Sequence, residues 1–297
     1  MRRNKTVCGY LLVIISAVMF GCMPLLTRLI YEEGINSFSL VFLRNTLSVP
    51  MLAIASKISG LKLKTEPRAL PSIAVLSIVG CCITPLLLYI SYTDIDTGTA
   101  TVFHFIYPAA VMLLSLIFLK TKLKAGNLIS LLLCIAGICM FYTPGVKVGI
   151  MGSAVALLSG VTYASYIVGL SAFRYKNIPN LVFYFYGAIS SSLLSLIFCL
   201  CTGNLVFPAS VKGWILCILF ALIFNVGAGV LFQKGTFIIG GERASILSTF
   251  EPITSVIVGM TFLNESGSLR TVIGTVLVVA AAVLIAVYDM KHKNSKE

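Results

Sequence analysis

The chain is an almost unbroken succession of apolar stretches, each about as long as a bilayer is thick. Ten runs can be marked: 8–30, 37–58, 70–92, 97–119, 125–143, 149–172, 180–201, 213–234, 242–263 and 269–288. A helix rises about 1.5 Å per residue, so about 20 mostly apolar residues cover roughly 30 Å of hydrocarbon. The connections are short, and none is long enough to fold as a soluble domain, so any function has to sit inside the bundle. With 58% apolar and only 11% charged residues, the chain carries more apolar surface than one water-facing core can hide. The pattern predicts an all-α polytopic membrane protein of ten transmembrane helices.

The net charge of +12 is placed to match. With the N-terminus in the cytoplasm, seventeen basic residues fall inside: Arg2, Arg3, Lys5, Lys57, Lys62, Lys64, Arg68, Lys120, Lys122, Lys124, Arg174, Lys176, Lys234, Arg243, Lys291, Lys293 and Lys296. Only Lys147, Lys212 and Arg270 fall in outside loops. That bias is the positive-inside pattern, so both termini are expected in the cytoplasm, and the charge reflects orientation rather than nucleic acid. The basic head of the first run resembles a secretory signal, but the run is long and ends at no small-x-small site, so it is expected to stay as the first span.

The chain also repeats itself. A shift of 144 residues matches Ala100 with Ala244, Pro108 with Pro252 and Ala136 with Ala280; a shift of 143 matches Gly9 with Gly152 and Ser16 with Ser159. Each half, 1–145 and 146–297, holds five runs. Five is odd, so the second copy enters the membrane from the opposite side as an inverted repeat. Inverted repeats give two nearly equivalent conformations, each open to one side, which is the basis of alternating access. Small residues at Gly152, Ala156, Gly160 and Ala164, matched by Gly9, Ala17 and Gly21, mark helix faces that approach closely.

Several segments resemble the EamA-type members of the drug/metabolite transporter superfamily, over essentially the whole chain. They are "GYLLVIISAVMFGCMPLLTR", "FSLVFLRNTLS", "GTATVFHFIYPAAVMLLSLIFLKTKL" and "ERASILSTFEPITSVIVGMTFLNE". The second copy keeps Glu251, Pro252 and Glu265 of the pattern; the first carries Tyr107 in place of the glutamate and Thr121 in place of the terminal acid. The resemblance implies a ten-helix carrier, usually an exporter of amino acids, other metabolites or drugs.

Candidate site residues are the polar groups at membrane depth. Glu251 lies about 13 Å into its run, near the midplane, where a carboxylate is costly unless protonated, paired or wetted. A proton carrier, a partner for a substrate ammonium and a structural acid all fit it. Pro108 and Pro252 each remove a backbone donor, freeing the carbonyls of His104 and Ser248, so a local break beside a polar group, or a simple kink, is expected at both. His104 is either a second proton-coupling group or a neutral hydrogen-bonding one. Arg44 cannot discharge, so it should face an anion, an aromatic ring or water, whereas Arg28 near a helix end should snorkel. Tyr107, Tyr163, Tyr166, Asn45, Asn225 and Gln233 are candidates for lining the path. The aromatic "YFYG" at 184–187 reads as packing.

Other classes lack their machinery. Two histidines, at 104 and 292, cannot form a His-Glu-x-x-His centre, and no Gly-x-x-x-x-Gly-Lys-Ser/Thr is present for a nucleotide-driven pump. The nine cysteines lie almost entirely in apolar runs without a Cys-x-x-Cys pair, so neither a disulfide framework nor a zinc site is expected. The expectation is a multi-pass transporter of the cytoplasmic membrane and not an enzyme. It needs no metal or cofactor; its partners are lipid and a small-molecule substrate, with protons as coupling ion and the oligomeric state open. A facilitative exchanger, a channel or a lipid scramblase is the alternative.

Overall fold

The structure, a computed structural model, describes residues 2–119, 129, 132, 133, 135–137, 140, 149–173, 177–240, 244, 247–264 and 268–294. Among these there is no strand. Seven helical stretches are long and apolar enough to cross a membrane: Thr6–Glu32, Ser37–Ile58, Pro67–Ser91, Thr97–Phe118, Ile150–Ala172, Asn180–Thr202 and Val211–Ile239. Two shorter apolar helices, Phe250–Phe262 and Leu269–Ala281, follow. Most of run five, the basic "KTKLK" with Thr121, and Glu265 lie outside the described residues.

Helix ends fall where the local chemistry puts them. Asn36 caps run two by accepting from the Ser39 amide at 2.9 Å, and Ser210 caps run eight by accepting from the Gly213 amide at 2.8 Å. Outward faces are apolar: Leu193, Ile197 and Leu200, spaced to share one side of a helix, are all more than half exposed. In water such a stripe would be an aggregation site; in lipid it faces its own solvent.

Several runs are interrupted, and two kinds of interruption recur at matching places. Run four is two helices, Thr97–His104 and Tyr107–Leu119, separated by a turn at Phe105–Ile106. Run nine turns at Ser248–Thr249 before its helix Phe250–Phe262. Both turns come just before the prolines that block continuation of the ladder. The carbonyl expected to be left free at Ser248 is not free: it accepts the Glu251 amide at 2.9 Å, so the chain tightens by one residue instead of opening. Runs three and eight each contain a π-helical segment, Ile78–Ile83 and Ala221–Ala228, whose starts are 143 residues apart. Run one also breaks, at Cys22, where Pro24 begins a second helix, Met23–Glu32. The periodicity of an apolar run carries no mark of these extra residues, so neither the π-segments nor this break is visible in the sequence pattern.

The two halves interlock. Run two packs along run seven, run one along run eight and the helix of run nine, and run six along runs three and four. Runs four and nine meet each other where Ser255 donates to Thr101 at 3.0 Å. The small-residue ridges serve these contacts. A Cβ on Gly160 would lie 2.4 Å from the carbonyl oxygen of His104, and one on Gly21 would lie 2.7 Å from that of Glu251. In each half a glycine therefore lets a neighbouring helix approach the broken segment.

Candidate functional site

A cavity opens among these breaks. Its wall takes Gly80 and Cys81 from one π-segment and Phe224 and Asn225 from the other. Arg44, His104 and Glu251 join them, with an aromatic wall from Tyr163, Tyr166, Tyr184 and Phe232. A π-segment widens the turn and leaves carbonyls for outside donors. Asn45 donates to the Cys81 oxygen at 3.0 Å, Ser191 to the Ser77 oxygen at 2.9 Å and Ser16 to the Ala228 oxygen at 2.8 Å. Side chains from runs one, two and seven thus satisfy the irregular backbone that membrane interiors tolerate only where protein or a wet cavity covers it.

Arg44 anchors a polar cluster joining the halves. Its Nη1 donates to the Tyr89 hydroxyl and its Nη2 to Asn225 Oδ1 at 2.8 Å. Asn225 Nδ2 donates to Ser48 Oγ at 2.8 Å and, at longer range, to Asn45 Oδ1 at 3.3 Å. The guanidinium lies 5.8 Å from the ring centroids of both Tyr89 and Phe220, inside cation–π range. Neutral acceptors and ring faces thus serve the terminal nitrogens of this permanent charge; among the described residues no carboxylate pairs with it, and its buried Nε has no partner. Arg28, by contrast, is exposed near a helix end.

His104 occupies the other wall. Its Nδ1 lies 2.8 Å from Ser159 Oγ, and its ring packs 5.4 Å from Tyr163 and 5.6 Å from Tyr107. Tyr163 is edge-on to Tyr107 at 4.9 Å and within 6.0 Å of both Tyr166 and Phe232. Glu251, buried at the start of the helix Phe250–Phe262, lines the same cavity. Among the described residues its carboxylate accepts no hydrogen bond and meets no cation.

Of the residues singled out in the sequence, Glu251, His104, Arg44, Tyr163, Tyr166 and Asn225 line the cavity. Tyr107, Ser248 and Asn45 are buried beside it: Tyr107 behind Tyr163, Ser248 donating to the Ala244 oxygen at 2.9 Å, and Asn45 in the Arg44 cluster. Gln233 is fully buried away from the cavity wall, and neither amide atom has a partner among the described residues. Pro108 and Pro252 stand just past the two turns. Sequence reasoning missed Tyr89, Tyr184 and Ser159. Tyr184 lines the cavity from within the aromatic "YFYG", where composition gave no reason to separate it from its packed neighbours. Tyr89 and Ser159 acquire meaning only through partners 45 and 55 residues away.

At the end of the bundle formed by the loops after runs one and seven, Lys212 pairs with Glu33 at 2.8 Å and Ser210 donates to the same carboxylate. Asn36 and Ser39 both donate to the Asn204 oxygen at 2.8 Å. Near the loop after run three, Asp94 accepts from the Gly152 amide at 2.7 Å. These bonds join one half to the other.

A polytopic helix bundle with a cavity among two matching sets of breaks is the architecture of a membrane transporter. The chain belongs to the EamA-like transporter family, whose model matches it twice, over residues 7–143 and 150–287. The uncharacterized inner membrane transporter YicL of Salmonella typhimurium is 26% identical over 97% of this chain and 98% of its own. Uncharacterized transporters of Clostridium kluyveri, 23% identical, and Archaeoglobus fulgidus, 26% identical, match over 97% and 94% of this chain and 96% of each of their own. A solved structure described only as a crystal structure of a protein superposes with a TM-score of 0.71, covering 98% of this chain and 99% of that one. At 16% identity that likeness shows the shared fold alone.

Proposed function

We propose that the protein is a secondary transporter of the cytoplasmic membrane: ten helices in two inverted five-helix repeats with both termini inside. It moves small organic metabolites, amino acids and related compounds or drugs, by alternating access through the central cavity. The observation that carries this reading is the cavity at the matching breaks of runs four and nine, with an ionisable carboxylate, Glu251, facing it and unpaired among the described residues. A carboxylate there needs a proton or a bound cation whenever water leaves, so proton release and substrate binding can alternate on one group. The transporter is thus a proton-coupled exporter or exchanger, with Glu251 as the coupling group.

The test is counterflow in vesicles reconstituted with the full chain, against a panel of amino acids, nucleosides, sugars, polyamines and cationic drugs. Saturable counterflow of one class, driven further by a pH gradient, is expected. Flux that rises without saturation and shows no counterflow marks a channel or scramblase and overturns the reading.

A further inference from the structure

We propose that Ser159 fixes the tautomer of His104, so that His104 presents its Nε2 lone pair to the cavity as an acceptor for an N–H-bearing ammonium group. The proposal rests on the reading of the cavity as the substrate site and names the chemistry of the group it takes.

The argument is a proton count. Ser159 owns a single hydroxyl proton, and its Oγ lies 2.6 Å from the Ala156 carbonyl oxygen, which can only accept. That proton is committed. The same Oγ lies 2.8 Å from His104 Nδ1, so the proton in this second bond has to come from the ring. A neutral imidazole with its proton on Nδ1 has a bare lone pair on Nε2. No described group bonds to Nε2, and His104 is part of the cavity wall.

The surroundings define what that lone pair receives. Glu251 is a second acceptor on the same wall, without a described donor. Arg44 lines the same cavity but makes no ion pair with it among the described residues; two of its N–H groups go to Tyr89 and Asn225. The rings of Tyr163, Tyr166 and Phe232 line the cavity beside His104, and aromatic faces attract cations. A quaternary ammonium suits the rings but leaves both acceptors bare. A neutral hydroxyl compound supplies a donor but no charge. A primary or secondary ammonium satisfies the rings, the carboxylate and the imidazole together. On this assignment His104 is a neutral specificity determinant, and proton coupling falls to Glu251.

The chain has only two histidines, which makes the test direct. In the full-length protein in lipid nanodiscs, labelled with ¹⁵N-histidine and carrying His292→Gln, one imidazole remains. Its long-range proton–nitrogen correlations should show the Nδ1–H tautomer, and Ser159→Ala should bring up the Nε2–H form. Phenethylammonium should shift the Nε2 resonance, and its N,N,N-trimethyl analogue, with the same ring and charge but no N–H, should bind at least about tenfold more weakly. A wild-type ring that is Nε2–H or doubly protonated overturns the proposal, and decides it even where the Ser159 variant does not fold. An Nε2 resonance unmoved by phenethylammonium, or equal affinity for the two compounds, removes the ligand assignment. Failure of the transport reading shows separately, as absent counterflow with the tautomer unchanged.

Discussion

The two walls of the cavity come from equivalent places in the two halves, yet they carry different chemistry. Run four breaks at Phe105–Ile106 and run nine at Ser248–Thr249, and each break is approached by a glycine of run six or run one. On that shared frame His104 corresponds to Ser248 and Tyr107 to Glu251. Arg44 corresponds to Gly187, and Asn225 falls at the turn of Cys81 and Cys82. The halves share the turns of runs four and nine and the π-segments of runs three and eight, and differ in their ionisable groups; the break in run one has no counterpart in run six. Two conformations exchanged between the halves need matching hinges, whereas one substrate and one coupling ion need only one set of charges.

The comparison breaks most sharply at Glu251. Glu251→Gln should abolish pH-gradient-driven transport in vesicles with folding intact, while Tyr107→Phe, at the equivalent position, should keep the pH dependence. A Glu251→Gln protein with an unchanged proton-driven rate would remove Glu251 from coupling. Next is Arg44, whose counterpart has no side chain. Arg44→Met strips the donor from Tyr89 and Asn225 inside the membrane, and a loss of about 2–3 kcal/mol is expected in thermal or denaturant unfolding in detergent. A variant as stable as the parent would show the cluster to be dispensable for folding.

The glycine contacts give a smaller effect. Gly160→Ala places a Cβ 2.4 Å from the His104 carbonyl oxygen, a backbone atom that cannot simply turn aside. Overpacking of this kind costs about 1–3 kcal/mol. Its counterpart Ala17 already carries that methyl, buried, so Ala17→Gly should cost no more than about 1 kcal/mol. Equal losses at the two sites would mean that the close approach to run four is not what Gly160 provides.

The smallest effect lies at the water-facing loops. The hydrogen bonds from Lys212 and then from Ser210 hold the Glu33 carboxyl below its ordinary range. A lowered value means that the bond's contribution is complete above the ordinary carboxylate range and is lost as pH falls through the shifted value. Acidification below about pH 4 should therefore loosen this link, and Glu33→Gln should remove that acid sensitivity with little effect at neutral pH. Hydrogen exchange of the 33–36 and 203–210 loops against pH is the measurement. No change between the two proteins at acid pH would set the pair aside.

Much of the fold was legible because its cause is local. Apolar run length, the prolines at 108 and 252 and the small residues of runs one and six are read directly from neighbours in the chain: seven of the ten runs form helices long enough to cross a membrane, and turns stand just before both prolines. The site was legible in part. A charge inside an apolar run announces itself, so Glu251, His104 and Arg44 stood out. Ser159 and Tyr89 did not, because serine and tyrosine are ordinary in a membrane helix until a distant partner gives them a task. Gln233 stood out equally and lies away from the cavity wall, because polarity marks cost without saying which neighbour bears it.

The sequence by itself determined that lipid is the solvent and that one half echoes the other, because both follow from composition and period. Only the tertiary structure decided which polar groups share a cavity, that the two halves interlock rather than stand side by side, and that runs three and eight widen into π-segments. The reason is physical: in a bilayer every run is apolar enough to face lipid. The choice among neighbours falls to backbone approach and to hydrogen bonds between residues as far apart as Arg44 and Asn225.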